Sequence, residues 1–507
     1  MRFPGAAKAP LFWVCVGVLG ATLAALGGWR AWCVLSGPDI DTDAYAHHMI
    51  ARAILADPHD LGVHWVWLPL FHYAQVPLVA AGGTMEAVRW TNVVLSAALP
   101  VVLFFYVRRT SQRGGAIPPD VVALLAALIA GACPIAMQMG TTAQPEPLFA
   151  LLVLGVAIAF EERNYLATAA MLGAAVMLRY EAWAVLLAVA GVLAVEPWWR
   201  KRSEPLARWV SIAPAVVLIA GWAILRRPVD GRWFGFLRDT KTFANDALHE
   251  TSALDRGLRV FARDIIYYPV VVPFRVLGLV VPLVPFGVVR TLRAQGVRFV
   301  LVFLACLGFV SFTWVMRSSL GLDRHFVCIV PLYATFAAQG VAAIADLGRR
   351  PETAARLPKL LRGGLGTAAA ATALVGLGLH LEMWMGHWRG SIERSWPDRR
   401  AVGAYLRALP GAPTVFCDDA TVEILSGLDR RRFDRRWIDD PHTWDVVADE
   451  ARASGGAVYI ATWRRKLRGH EDAGEIVFRA VEPGVDPAQD DVGLAVMRVN
   501  ARPVARP

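Results

Sequence analysis

The chain has 507 residues, 56% of them hydrophobic and only 19% charged, where a water-soluble domain of this length carries about 25% charge. Its apolar residues come in blocks of roughly twenty, the length needed to cross about 30 Å of hydrocarbon, so a single soluble domain is excluded and a polytopic α-helical membrane protein is expected. The net charge of +10 lies mostly in short loops between apolar blocks and in the C-terminal tail, a distribution that does not indicate nucleic acid as a partner.

The first apolar segment, residues 11 to 35, follows a basic flank at Arg2 and Lys8, as a signal peptide does. It is too long for a signal core and lacks a small-x-small exit, so an uncleaved anchor is expected. Further spans are predicted at 88–107, 120–139, 146–160, 165–179, 181–195, 209–225, 266–289, 298–316, 326–347 and 363–384, making about eleven transmembrane helices. Arg108, Arg109 and Arg113 share one loop; Arg200, Lys201, Arg202 and Arg208 share a later one. Arg290, Arg293 and Arg298 follow, then Arg349, Arg350, Arg356, Lys359 and Arg362. With a cytoplasmic N-terminus all of these lie inside. The intervening loop GTTAQPEP, 140 to 147, has no basic residue. Lys8, Lys201, Lys241, Lys359 and Lys466 are the only lysines, a bias toward arginine that suggests a GC-rich bacterial genome and hence a bacterial inner membrane. Six cysteines form no disulfide framework and no CxxC site.

Between the first two spans, GPDIDTDAYAHHMIARAI (37 to 54) is expected outside. Asp43 can start a short helix, its carboxylate near the first free N–H groups. Ala46, Met49, Ile50, Ala53 and Ile54 then repeat at i, i+3, i+4, i+7 and i+8, an apolar stripe with His47, His48 and Arg52 largely off it. Such a helix lies on the membrane surface. Asp39 reads as a turn residue after Pro38, whereas Asp41 and Asp43 repel each other and point to a use. The next stretch, VHWVWLPLFHYAQVPLVAA (63 to 81), is apolar enough for a span. However, Pro69, Pro77, His64 and His72 suit a lipid-exposed helix poorly, and a span here would turn every later basic loop outward. An interfacial or re-entrant piece is expected. His64 and His72 can share a helical face, as a metal pair or, the better reading, in tryptophan-rich packing.

Other outward groups are few. Glu146 sits between two prolines in TTAQPEPLF, and Arg179, Tyr180 and Glu181 fill a turn too short to leave the boundary. Arg317, Asp323, Arg324 and His325 belong to MRSSLGLDRHF; Arg232, Trp233, Asp239, Lys241 and His249 lie in a long loop, 226 to 265. Snorkelling or helix-flanking explains Arg179, Glu181, Arg317 and Arg324 about as well as function does. Yet ionisable groups at membrane depth are costly and often functional, and these share one face.

Residues 386–507 lack apolar blocks and form a second domain after a membrane domain of residues 1–385. PDRRAVGAYLRALP and TWDVVADEARASGG read as helices, and TVFCDD, AVYIATW and VGLAVMRV as strands. A small α/β domain on the external side is expected. Asp418 and Asp419 end a strand, where a helix cap is the better reading and a ligand site the other. RRRFDRRW (430 to 437) suits either an anionic surface or a solvated face.

Three stretches resemble GT-C glycosyltransferases, which include protein O-mannosyltransferases, lipid A aminoarabinose transferases and bacterial family-39-like enzymes. DTDAYAHHMIAR is similar to their D-(D/E)-A-x-Y opening, and PEPLFALLVLGVAIAFEERNYLATAAMLGAAVMLRYEAW to a (S/T/P)-E-P-L-F … R-x-E-(G/A) run. DRHFVCIVPLYATFAAQG resembles their R-(Y/H)-(L/F)-x-x-x-x-P-L-(Y/L) helix start. The resemblance spans residues 10 to 385. It departs where Thr42-Asp43 replaces an acidic pair, where HWVWLPL replaces K/H-P-P-L, and where the tail lacks W-W-D, which argues against asparagine glycosylation.

The resemblance implies transfer of a sugar from a polyprenyl-phosphate donor to a hydroxyl acceptor (glycolipid, polysaccharide or protein) on the external face, with inversion. A hydroxyl must lose its proton as the bond forms, and a placed carboxylate gives roughly 10²–10⁴-fold; Asp43 or Asp41 is the candidate base. Arg324, His325 and Arg179 are candidates for the departing phosphate. Glu146, Glu181, His48, His64 and Tyr45 are candidate substrate contacts. The resemblance fixes no cofactor; whether a divalent cation (Mg or Mn) assists is open, with Asp41, Asp43, Glu146 and His48 as possible ligands. A transporter or flippase of lipid-linked sugars is the alternative, but it normally shows inverted repeats and mid-membrane charges. A scaffold reading leaves the aspartates without a use.

Overall fold

Inside hydrocarbon a backbone can satisfy its polar groups only within helices or closed barrels, and every predicted span is helical. A computed structural model describes residues 10–112, 114–200, 206–248, 255–349, 359–411, 413–436, 438–453, 457–481 and 493–499. Arg2, Lys8, Arg113, Lys201, Arg202, His249, Arg350 and Arg356 lie outside the described residues. The helices are α1 (Pro10–Ser36), α2 (Thr42–Ala56), α3 (Leu70–Ala80), α4 (Met85–Thr110), α5 (Pro119–Gly131), α6 (Pro134–Met139), α7 (Glu146–Glu161) and α8 (Tyr165–Val176). They continue as α9 (Glu181–Arg200), α10 (Ala213–Asp230), α11 (Gly235–Leu248), α12 (Leu258–Ile265), α13 (Val272–Leu277), α14 (Val284–Ala294), α15 (Val297–Val315) and α16 (Val330–Arg349). A 35-residue helix, Lys359–Glu393, follows.

Among the described residues, seven helical stretches are long and apolar enough to cross a membrane, against the eleven spans expected. The difference lies in interior helices. The predicted span 120–139 breaks before Pro134 into α5 and α6, because proline cannot continue a hydrogen-bonded helix. α7 and α8 are 16 and 12 residues long and pack on each other and on α4, α10 and α15. Helices surrounded by protein need not match the lipid thickness alone. α16 is buried along most of its length, and it crosses α14 closely. A Cβ on Gly340 would come 2.1 Å from the Leu283 carbonyl oxygen, so small residues are what let these backbones meet.

The stretch 63–81 does not span. It forms a 3-10 turn, Leu61–His64, and then α3. His64 and His72 therefore stand on two elements, not on one helical face. α2 forms where Asp43 predicted it, but Asp41 is its N-cap, accepting the Asp43 N–H at 3.0 Å. Of its expected surface stripe, Ile50, Ala53 and Ile54 are instead buried, together with His47 and His48, and Ala46 and Met49 are half-buried, because α3 covers one side and the C-terminal domain another.

That C-terminal domain holds a five-stranded sheet of order β2-β1-β3-β5-β4: β1 (Thr414–Cys417), β2 (Phe433–Asp434), β3 (Val458–Trp463), β4 (Gly474–Ala480) and β5 (Leu494–Val499). β2, β1 and β3 are parallel; β5 runs antiparallel to β3 and β4. β4 and the helix Ala420–Ser426 were not foreseen from the sequence. Asp419 caps that helix, accepting from Thr421 and Val422 N–H at 2.9 and 3.3 Å. The helix leans on α2: Arg52 reaches Glu423 at 3.7 Å and donates to the Leu428 carbonyl at 3.3 Å. Trp396 donates from Nε1 to the Asp39 carbonyl at 2.7 Å. All six cysteines are buried and unpaired.

Candidate active site

The loop before α2 is held at both ends. Asp39, which reads from the sequence as a simple turn residue, is 1% exposed. Its carboxylate accepts the Ala143 N–H at 2.6 Å and the Asp41 N–H at 3.1 Å, so it ties the loop after α1 to the loop before α7. Burial pushes its carboxyl up to about 7, although Arg89 opposes this. Arg89, near the start of α4, is buried and donates to the carbonyls of Cys33, Gly37 and Thr141. Nothing local marks Arg89 beyond its being a basic residue near the start of the predicted span 88–107.

On this frame Arg324 meets both remaining aspartates. It donates to Asp41 Oδ2 at 2.7 Å and, through its other terminal nitrogen, to Asp43 Oδ2; its Nε lies 3.6 Å from Glu146. Arg179 forms a second centre, 2.5 Å from Glu146 and 2.9 Å from Glu181. Glu146 and Glu181 begin α7 and α9, where helix dipoles favour negative charge. His325 Nδ1 lies 2.6 Å from Arg179 and 3.1 Å from Glu181. Arginine can only donate, so this nitrogen either accepts from Arg179 or, protonated, donates to Glu181.

The two aspartates differ. Burial raises the Asp41 carboxyl even against Arg324. Burial also works against Asp43, but the charge and hydrogen bond of Arg324 outweigh it and hold that carboxyl below its ordinary value. Asp43 is also the more exposed, at 34% against 19%.

A cavity of about 360 Å³ opens beside Asp43, within the range of small-ligand sites. Asp43, His47, Arg179, Glu181, Arg324 and His325 form its charged end, and Trp67, Leu68, Phe71, Phe309 and Phe312 form apolar walls. Phe312 belongs to a helix long and apolar enough to cross a membrane and is 63% exposed, so the apolar side of the cavity reaches the outer surface of that helix. Thr240 and Lys241 of α11 also line it, and sequence reasoning left these as loop residues. An amphipathic period across 235–248 was the available signal. His47 was set aside as off the stripe; being off it is what turns the ring into this cavity.

Not every candidate gathers here. Tyr45 and His48 project from another side of α2, toward a second cavity of about 470 Å³ against the C-terminal domain. Tyr45 donates its hydroxyl to the Asp39 carbonyl at 2.8 Å. His64 is sealed behind His72. Arg317 turns away and pairs with Asp264 at 2.5 Å. Among the described residues no three His, Cys, Asp or Glu side chains form a metal-holding group. The carboxylates of Asp41, Asp43 and Glu146 converge on the Arg324 guanidinium, which already supplies the positive charge a divalent ion would bring, so this arrangement does not fit a resident ion.

Residues 69–224, under a third of the chain, match the family model described as dolichyl-phosphate-mannose-protein mannosyltransferase. No curated protein matches the chain by sequence. The fold is similar to that of ArnT from Cupriavidus metallidurans bound to undecaprenyl phosphate, at 14% identity and a TM-score of 0.58, covering 97% of this chain and 98% of that one. The apo form of the same protein gives 0.54 at 14% identity, covering 96% and 98%. The apo Archaeoglobus fulgidus oligosaccharyltransferase gives 0.51 at 10% identity, covering 95% of this chain and 76% of that one. The chain is a multi-pass membrane protein with the GT-C fold.

Proposed function

We propose that the protein is a membrane glycosyltransferase that moves a monosaccharide from a polyprenyl-phosphate donor to a hydroxyl acceptor, with inversion and with Asp43 as general base. One observation carries this reading: a single cavity joins two carboxylates and two arginines at one end to apolar walls that include the exposed Phe312 of an apolar helix. That is the form of a lipid tail with a phosphate head. The likeness in fold to a protein seen with undecaprenyl phosphate, and the family match across Glu146, Arg179 and Glu181, support the same substrate class.

Arg324 and Arg179, with His325, take the donor phosphate and stabilise the charge it gains as the glycosidic bond breaks. Asp43 is a weak base while Arg324 holds it. As the donor phosphate draws Arg324 toward itself, the Asp43 carboxylate loses its partner and becomes more basic, and it then takes the proton of the attacking hydroxyl. Asp41, seated at the helix cap, holds Arg324 in reach of both.

The site lies on the external side of a bacterial inner membrane, with the N-terminus inside. Support comes from the far ends of the helices. Arg108 and Arg109 close α4, whose 26 residues span roughly 39 Å from the site end. Arg298 with Glu196 and Arg290 with Asp346 add further charge there. A basic far end favours the cytoplasm. Because Arg52 and Glu423 meet, the C-terminal domain shares the external side with the site.

The test is transfer of labelled sugar from polyprenyl phosphate by the purified full chain and by Asp43→Asn. The expected result is a loss of about 10²–10⁴-fold in turnover. Undiminished transfer by the variant removes Asp43 as base, and no transfer by the unaltered chain across a panel of lipid-phosphate sugars removes the enzyme reading.

A further inference from the structure

Three histidines lead away from the cavity in single file. Nδ1 of His47 lies 2.8 Å from Nε2 of His72, and Nδ1 of His72 lies 2.8 Å from Nδ1 of His64. The rings are 3%, 0% and 0% exposed. Trp67 and Phe71 pack round His47, and Tyr73 and Trp222 round His64. In so apolar a setting the imidazoles serve as each other's partners. Burial also keeps them uncharged, lowering His47 to about 4, His64 to about 3 and His72 well below its ordinary value.

A neutral imidazole carries one ring proton, and each ring-to-ring contact needs one. Only two orderings meet both conditions. In the first, His47 donates to His72 and His72 to His64, which leaves an N–H on His64 Nε2. In the second, His64 donates to His72 and His72 to His47, which leaves His64 Nε2 bare and puts the His47 proton on Nε2. His64 Nε2 is buried with no hydrogen-bond partner among the described residues, and a stranded N–H is rarer in proteins than an under-used acceptor. Two neighbours favour the bare nitrogen further. Trp222, edge-on to the ring, carries a buried indole N–H that also lacks a partner, and the positive charge of Arg226 acts on His64.

We propose that His72 and His64 fix His47 as its Nε2–H tautomer, so that His47 presents a hydrogen-bond donor to the cavity beside Asp43. His72 and His64 are positioning residues; His47 meets the substrate. Resting on the glycosyl-transfer reading, the recipient is an oxygen of the donor phosphate, since that group brings acceptors and no proton. The His47 imidazole thus does not compete with Asp43 for the acceptor's proton.

Nitrogen NMR of the full chain in detergent, labelled at histidine and assigned with His47→Gln, reads the tautomer without any substrate. The expected spectrum at neutral pH shows His47 with a protonated Nε2 and a bare Nδ1, and His72→Phe shifts this toward a mixture. A protonated Nδ1, a charged ring or a mixture in the unaltered protein overturns the proposal even if Asp43 proves to be the base. In transfer assays His47→Leu is expected to raise the donor KM about tenfold, with kcat less affected, and His47→Gln, whose amide N–H can stand near the Nε2 position, restores most of it. Equal loss in both variants, or loss in neither, overturns the donor role. If the unaltered chain transfers no sugar while the NMR result holds, the enzyme reading fails and the histidine ordering stands.

Discussion

Arg324 holds Asp43 and Asp41 on its two terminal nitrogens, although Arg324 and Asp43 are separated by 281 residues. A lysine carries the same charge as a point, without the planar fork that reaches two carboxylates. Arg324→Lys is therefore expected to lower kcat/KM by about 10²-fold while the protein still folds. Arg324→Ala leaves Asp41, Asp43 and Glu146 facing one another, and a loss of up to about 3 kcal/mol is expected. Thermal unfolding in detergent, run beside the transfer assay, separates the two effects. If the lysine variant matches wild type in rate, the fork has no part in transfer.

Asp41 and Asp43 are two residues apart and make different predictions. Asn caps a helix about as well as Asp, so Asp41→Asn keeps the start of α2 and loses only part of the hold on Arg324. Its expected effect is about tenfold or less on kcat/KM, against about 10²–10⁴ for Asp43→Asn. The same assay ranks them, and a reversed order moves the base to Asp41.

The buried histidines set a pH dependence of stability. His47 and His64 are held neutral in the fold, at about 4 and about 3, while unfolded histidine takes a proton near 6.5. The unfolded state then binds more protons as pH falls. Their contribution is fully present above about pH 6.5 and is lost progressively toward pH 4, at about 1.4 kcal/mol per pH unit for each ring. Asp39 acts in the opposite direction, since its carboxyl is raised to about 7, so the comparison must be between variants. His64→Phe is expected to show a shallower fall in melting temperature between pH 7 and 5 than wild type. Parallel curves would mean that the ring is not held neutral.

How much of this was legible depended on whether the cause was local. Helix existence followed from apolar block length, and the gathering of Asp41, Asp43, Glu146, Arg179 and Arg324 at one end of the helices followed from loop parity. The cap moved from Asp43 to Asp41 because the two candidates differ only in which backbone N–H each can reach. Tyr45 and His48 read as site residues because they sit beside Asp43 in sequence, yet the 100° step of a helix turned them toward the C-terminal domain. His47–His72 and Asp39–Ala143 were illegible: each needs two loops to be brought together by packing, and no spacing encodes that. Lys241 lay in a segment too polar to read as a span, and its amphipathic period was the one local sign of a helix.

Glu423 tests whether the C-terminal domain is more than an attachment. It is 1% exposed and accepts both arms of Arg435, at 2.7 and 2.9 Å, with Arg52 at 3.7 Å and Arg430 at 3.9 Å. Removing it leaves three guanidinium groups without their shared anion, so Glu423→Ala is expected to cost about 3–5 kcal/mol, seen as earlier unfolding and faster proteolysis of residues 386–507. Arg52→Met is the sharper variant. It leaves Glu423 and Arg435 paired and removes only the tie to α2, so stability should change by about 1 kcal/mol or less. Asp43 stands at the other end of that same helix. If the domain helps aim the base, transfer falls several-fold in Arg52→Met at almost unchanged melting temperature; if transfer is unaffected, the domain's grip on α2 has no bearing on the chemistry.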